Sequence, residues 1–180
     1  MLKLLWKIFS TPKVTVAITP ADCDRIEITA LGEKLQEKIK RLFRGSLAIR
    51  QVDAGSDNAC EQELTALSNP FYEVERFGIH FVASPRHADM LMVTGPVARN
   101  MAEAVKRAYD AAPHPKIVVA VGNDAIDGGI FRDSYAVLGG VDAVIPVDYQ
   151  IPGDPPSPKI ILAHLLKILE IHHHKAGAEH

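Results

Sequence analysis

The sequence predicts an α/β fold, a mainly parallel five-stranded sheet with helices on both faces. Three observations carry that prediction. From residue 45 onward, short apolar runs alternate with stretches of helical spacing, the pattern of repeated strand–helix units. The runs at 90–93 and 117–121 are continuously apolar, as expected of strands buried on both sides of a parallel sheet. Hydrophobic residues make up 47% and charged residues 23% of the 180 positions. That supports a packed core and excludes a disordered chain, a collagen-like chain and a long coiled coil.

The elements follow in order. Residues 1–9 are apolar, with Lys3 and Lys7 four positions apart. They suit a helix docked on the domain and equally an interfacial helix at a lipid surface or a membrane subunit. Leu31, Leu35, Ile39 and Leu42 recur at helical spacing within 26–43, opposite a charged face, and Gly45 ends the pattern. Residues 1–44 therefore form an N-terminal helical extension to a domain over 45–171. Within that domain, strands are expected at 46–52, 79–83, 89–94, 116–121 and 143–147. Helices are expected up to about 67, over 97–111 and over 159–171, the last with Pro158 in its first turn, where its missing N–H costs nothing. Residues 172–180, containing His172, His173 and His174, read as a flexible solvated tail of the kind an affinity tag leaves.

Lys plus Arg total 20 and Asp plus Glu 22, a net charge of -2 with His neutral. No nucleic-acid partner is expected, because no overall basic surplus is present to neutralise phosphates. The two cysteines, Cys23 and Cys60, exclude a disulfide framework and a four-cysteine centre within this chain. No apolar run approaches the roughly 20 residues that cross a bilayer. The expected location is the cytosol or the cytosolic side of a membrane.

In an open α/β sheet, ligands collect beyond the carboxyl ends of the strands. Four loops leave such ends, at 53–60, 95–99, 122–129 and 152–158. Three of them carry an aspartate, Asp57, Asp124 and Asp154, and Cys60 stands three residues after Asp57. The candidate constellation is Asp57/Cys60/Asp124/Asp154 at one end of the sheet. Aspartate is also an ordinary turn residue, and spacing alone leaves both readings open.

These residues lie within longer motifs. They are Val52-Asp-Ala-Gly-Ser-Asp-Asn-Ala-Cys-Glu-Gln-Glu63, Arg76-Phe-Gly-Ile-His80, Ser84-Pro-Arg-His-Ala-Asp89, Thr94-Gly-Pro-Val97, Gly128-Gly-Ile-Phe131, Val144-Ile-Pro-Val-Asp148 and Ile151-Pro-Gly-Asp-Pro-Pro156. In this order and spacing the chain resembles the small (B, or 20 kDa) iron–sulfur subunit of respiratory complex I. It is equally similar to that of the membrane-bound group 4 [NiFe] hydrogenases, the formate hydrogenlyase small subunit among them. The resemblance implies a flavodoxin-like three-layer fold and a [4Fe–4S] cluster held by four cysteines. Those ligand positions correspond here to Asp57, Cys60, Asp124 and Asp154, so three of the four are carboxylates.

Iron–sulfur clusters are held mainly by soft thiolates, and a one-thiolate, three-carboxylate set suits them poorly. The resemblance, with that departure, implies a cluster-less accessory subunit without a cofactor. It would dock a large hydrogenase-like or complex I-like subunit to antiporter-like or anchor subunits in the membrane, on the cytoplasmic face. Two other readings stay open, an electron-transfer subunit with an unusual [4Fe–4S] cluster and a stand-alone soluble metal-binding domain. Asp57, Asp124 and Asp154 are candidates for a divalent cation. Arg86, which matches an arginine beside the family's cluster, is a candidate to neutralise one of them. Glu63, Arg86 and His87 are candidates for a proton relay.

Overall fold

A computed structural model describes residues 22–178. Its strands are β1 (Leu47–Asp53), β2 (Ile79–Phe81), β3 (Met90–Thr94), β4 (Ile117–Val121) and β5 (Tyr149–Ile151). They form one sheet in the order β2-β1-β3-β4-β5, with every neighbouring pair parallel. Helices α1 (Asp22–Leu42), α2 (Ala59–Ala66), α3 (Ala102–Ala111), α4 (Asn123–Asp127) and α5 (Pro158–Ala178) complete the main elements. The predicted α/β class is observed, with a sheet that is wholly parallel. The segment 1–9 lies outside the described residues.

All five side chains of β3 and of β4 are buried, because the sheet is covered on both sides. Successive residues supply opposite faces. Met90 and Met92, with Ile117, Val119 and Val121, join Leu35 and Ile39 of α1 and Ile161, Leu162 and Leu165 of α5. Leu91, Val93, Val118 and Ala120 join Val105 of α3 and Ala125 of α4 on the other face. The helix expected in the N-terminal extension is thus part of the first core face. Its charged residues Glu33, Lys34, Glu37, Lys40 and Arg41 are exposed, as its pattern predicts.

Two aspartates clip the sheet together. Asp89, just before β3, donates its N–H to Ala48 O (2.8 Å) and accepts Ala48 N–H on Oδ2 (2.9 Å). Asp148, just before β5, repeats the arrangement with Val118, at 2.9 and 2.8 Å. Each closes a small ring with the neighbouring strand's backbone and fixes the register of the pair.

The fifth strand is displaced from the expected 143–147. Val141–Ala143 is a 3-10 turn, and pairing with β4 begins only at Tyr149. Ile145 is buried in the second core face, so the apolar run packs without joining the ladder, and Pro146 has no N–H to donate to one. The loop expected at 122–129 contains the short helix α4. The last helix continues to Ala178, through positions the sequence reading gave to a tail. Strand β2 is also shorter than expected, ending at Phe81.

Leu165 is fully buried between α5 and the sheet. Leu165→Ala should cost about 2–5 kcal/mol of unfolding free energy in urea titration. Lys106→Ala, on the exposed face of α3 in an i,i+4 ion pair, should stay within about 0.5 kcal/mol of the parent.

Candidate functional site

The strand register sets the site. Asp53 lies beside Thr94, and Thr94 beside Val121, so β1, β3 and β4 end at one level and their loops emerge together. After β1, Asp53 Oδ1 accepts the N–H groups of Gly55 (2.7 Å) and Ser56 (2.9 Å). Asp57 Oδ1 then accepts Ala59 N–H at 2.9 Å, which turns the chain into α2. Gly95, at φ 74°, lets this loop close over β3, since a Cβ there would meet Ser56 Cα at 2.4 Å. After β4 and β5 the loops are stitched to each other. Asn123 N donates to Gly153 O (2.8 Å), and Gly153 N donates to Asn123 Oδ1 (3.1 Å). That stitching brings Asp124 and Asp154 to one place.

Cys60 is buried on the first turn of α2. A Cβ at Gly122 would stand 2.5 Å from its Sγ, so the glycine at the end of β4 clears the space the sulfur faces. Burial is the main cause that pushes the Cys60 thiol up to about 12, followed by the carboxylates of Glu61, Asp124, Asp57 and Asp154. Asp124 is raised by burial first, then by Asp154, Asp57 and Asp127. The four predicted residues therefore act on one another electrostatically.

The other candidates are placed elsewhere. Arg86 and His87 are exposed on the 3-10 turn Pro85–His87, which precedes β3, whereas the site loops follow the strands. Among the described residues no ion pair joins Arg86 to Asp57, Asp124 or Asp154. Glu63, half-buried on α2, is not among the groups acting on Cys60. No group of three or more His, Cys, Asp or Glu among the described residues is arranged to hold a metal ion.

Two features escaped the sequence reading. Glu61 is buried, Thr94 donates its hydroxyl proton to Glu61 Oε1, and Glu61 Oε2 is sealed from water without a partner. A buried threonine closing the apolar run of β3 was the available signal. The segment after α4 also exposes large apolar side chains, Ile130 at 86% and Tyr135 at 91%. A hollow of about 310 Å³ lined by Asn123, Asp127, Ile130, Arg132 and Asp154 connects Ile130 to the site. Another, of about 320 Å³ beside β1 and lined by Arg50, Gln51, Thr65, Ser68 and Phe81, contains none of the candidate carboxylates or the thiol.

Residues 58–168 match the protein family described as NADH ubiquinone oxidoreductase, 20 Kd subunit. The chain belongs to that family. It is 44% identical over 153 residues to formate hydrogenlyase subunit 7 of Escherichia coli K12, covering 83% of this chain and 58% of that one. It is 43% identical over 141 residues to the probable membrane-bound hydrogenase subunit mbhJ of Pyrococcus furiosus, covering 77% and 84%. A solved chain from the archaeal membrane-bound sulfane sulfur reductase superposes with a TM-score of 0.62 at 31% identity, over 82% of this chain and 75% of that one. A chain of an NAD+-reducing [NiFe]-hydrogenase, at TM-score 0.55 and 19% identity over 69% and 91%, shares the fold.

Two outcomes test this geometry. Gly122→Ala combines a left-handed φ of 92° with the clash at Cys60 Sγ, and should lower the thermal midpoint by several degrees, while Cys60→Ala on that background restores part of the loss. The thiol also makes stability pH-dependent. Its folded-state value of about 12 exceeds the ordinary 9.0, so its contribution is intact below about pH 9 and is lost as pH rises toward about 12. Urea midpoints should fall more steeply over that window in the parent than in Cys60→Ala.

Proposed function

We propose that this member of the 20 kDa family is an accessory subunit of a membrane-bound oxidoreductase complex related to complex I and the group 4 hydrogenases. In this reading it keeps the fold and docking role of the family's small subunit without carrying a [4Fe–4S] cluster. It joins a large hydrogenase-like subunit to a membrane module as a peripheral subunit on the cytoplasmic face. Family membership and the names of its relatives, subunits of formate hydrogenlyase and of a probable membrane-bound hydrogenase, support the complex. No helix among the described residues is long and apolar enough to cross a membrane.

The observation that carries the cluster-less reading is the donor set. Asp57, Cys60, Asp124 and Asp154, which match the cluster-ligand positions of the resemblance, provide one sulfur and three hard carboxylates. These residues do not fit the cluster. A proton-relay role through this end of the sheet is part of the proposal, with Asp124, whose proton affinity is raised, as the holding group.

Iron and sulfide analysis, with EPR of the anaerobically purified and reduced protein, tests this reading. The expected result is no stoichiometric cluster. Asp57→Cys/Asp124→Cys/Asp154→Cys should accept one on anaerobic reconstitution, because those substitutions surround Cys60 with three further thiols. About four iron and four sulfide per unaltered chain would return the protein to electron transfer.

A further inference from the structure

We infer that the hollow of about 320 Å³ beside β1 is a binding site for an organic monocarboxylate with a small aromatic or apolar body. The site lies apart from the acidic loops and does not rest on the cluster-less reading.

The hollow originates in a mismatch of strand lengths. Strand β1 runs to Asp53, whereas its ladder with β2 stops at Ile49 and Phe81, closed by Val82 N–H donating to Ile49 O at 2.8 Å. Ser84 then opens a 3-10 turn that begins with Pro85, and the chain leaves the sheet. Alternate residues of a parallel strand address opposite neighbours, which turns the N–H of Gln51 toward the place where a longer β2 would have stood. No backbone group among the described residues accepts it, so this N–H is open to a ligand.

Charge narrows the occupant. Arg50 is half-buried and lines the hollow, and among the described residues no carboxylate pairs with it. The lining holds no acidic side chain. One fixed positive charge suits one negative charge, and the planar fork of a guanidinium matches a carboxylate with two parallel hydrogen bonds. A phosphate dianion would bring a second charge with nothing to meet it. Thr65, Ser68 and the Gln51 side chain face the same hollow and provide neutral donors.

The rest of the wall is apolar, chiefly Phe81 and Leu64. A volume of this size falls at the lower end of ligand-sized pockets, which run from about 300 to about 1,000 Å³, and exceeds what a bare anion fills. Water displaced from the phenyl ring favours a ligand with a body of its own.

Amide-resolved NMR of the full chain tests the site, with benzoate as the probe and benzyl alcohol, acetate and inorganic phosphate for comparison. Benzoate should shift the amides of Gln51, Thr65 and Val82 saturably. Benzyl alcohol keeps the ring without the charge, acetate keeps the charge without the ring, and each should bind about tenfold more weakly. Arg50→Gln should weaken benzoate about tenfold and leave benzyl alcohol unchanged, a split that general unfolding does not produce, and Arg50→Lys should recover part of the loss. Ser68→Leu, at an exposed position, keeps Arg50 and should fill the hollow, weakening both aromatic probes; it serves should Arg50→Gln fail to fold. Absence of saturable shifts at those amides would overturn the site, as would benzoate binding that survives either folded variant. Inorganic phosphate bound as tightly as benzoate would mark a simple counter-ion contact and overturn the assignment to an organic acid.

Discussion

The common register of β1, β3 and β4 is the constraint on which the rest of this structure depends. Because Asp53, Thr94 and Val121 stand side by side, three loops leave the sheet at one height, and the stitching of Asn123 to Gly153 brings in the fourth. Residues up to 97 positions apart in sequence, Asp57 and Asp154, then act on the same thiol. Parallel strands supply this convergence without any dedicated site scaffold. Chain order turns back between β1 and β3, where Glu61 meets Thr94.

The charge carried by that convergence is a burden within the chain, because Asp124 and Cys60 are driven toward their neutral forms. The fold can carry the burden because the acids sit on segments beyond the strand ends, while β3 and β4 beneath them are wholly buried.

Much of this was legible in the sequence, and the failures share a cause. The continuous runs in β3 and β4 announced buried parallel strands, and once the sheet was parallel, Asp57, Cys60, Asp124 and Asp154 had to emerge at the same end. The fifth strand was misplaced because Ile145 and Pro146 read as a strand locally, whereas Ile145 is held by packing against the second core face. Arg86 resembled a family residue near the site, but its neighbours in space are set by the turn before β3. The burial of Glu61 depends on Thr94, 33 residues away, and apolar residues such as Ile130 look like core in sequence until the surface is drawn. Local pattern reports an element; partners across the sheet decide its surroundings.

The clips made by Asp89 and Asp148 act before their strands begin, at the end of the sheet away from the four loops. A one-residue slip would exchange the side chains of the two core faces, and these two carboxylates guard against it at the end of the sheet away from the four loops. The aspartates that set the register and those of the candidate site therefore stand at opposite poles of the sheet. Such a division leaves the loop positions open to wholesale exchange over descent, so that a lineage can retire one chemistry from this scaffold and recruit another while inheriting the same folded frame.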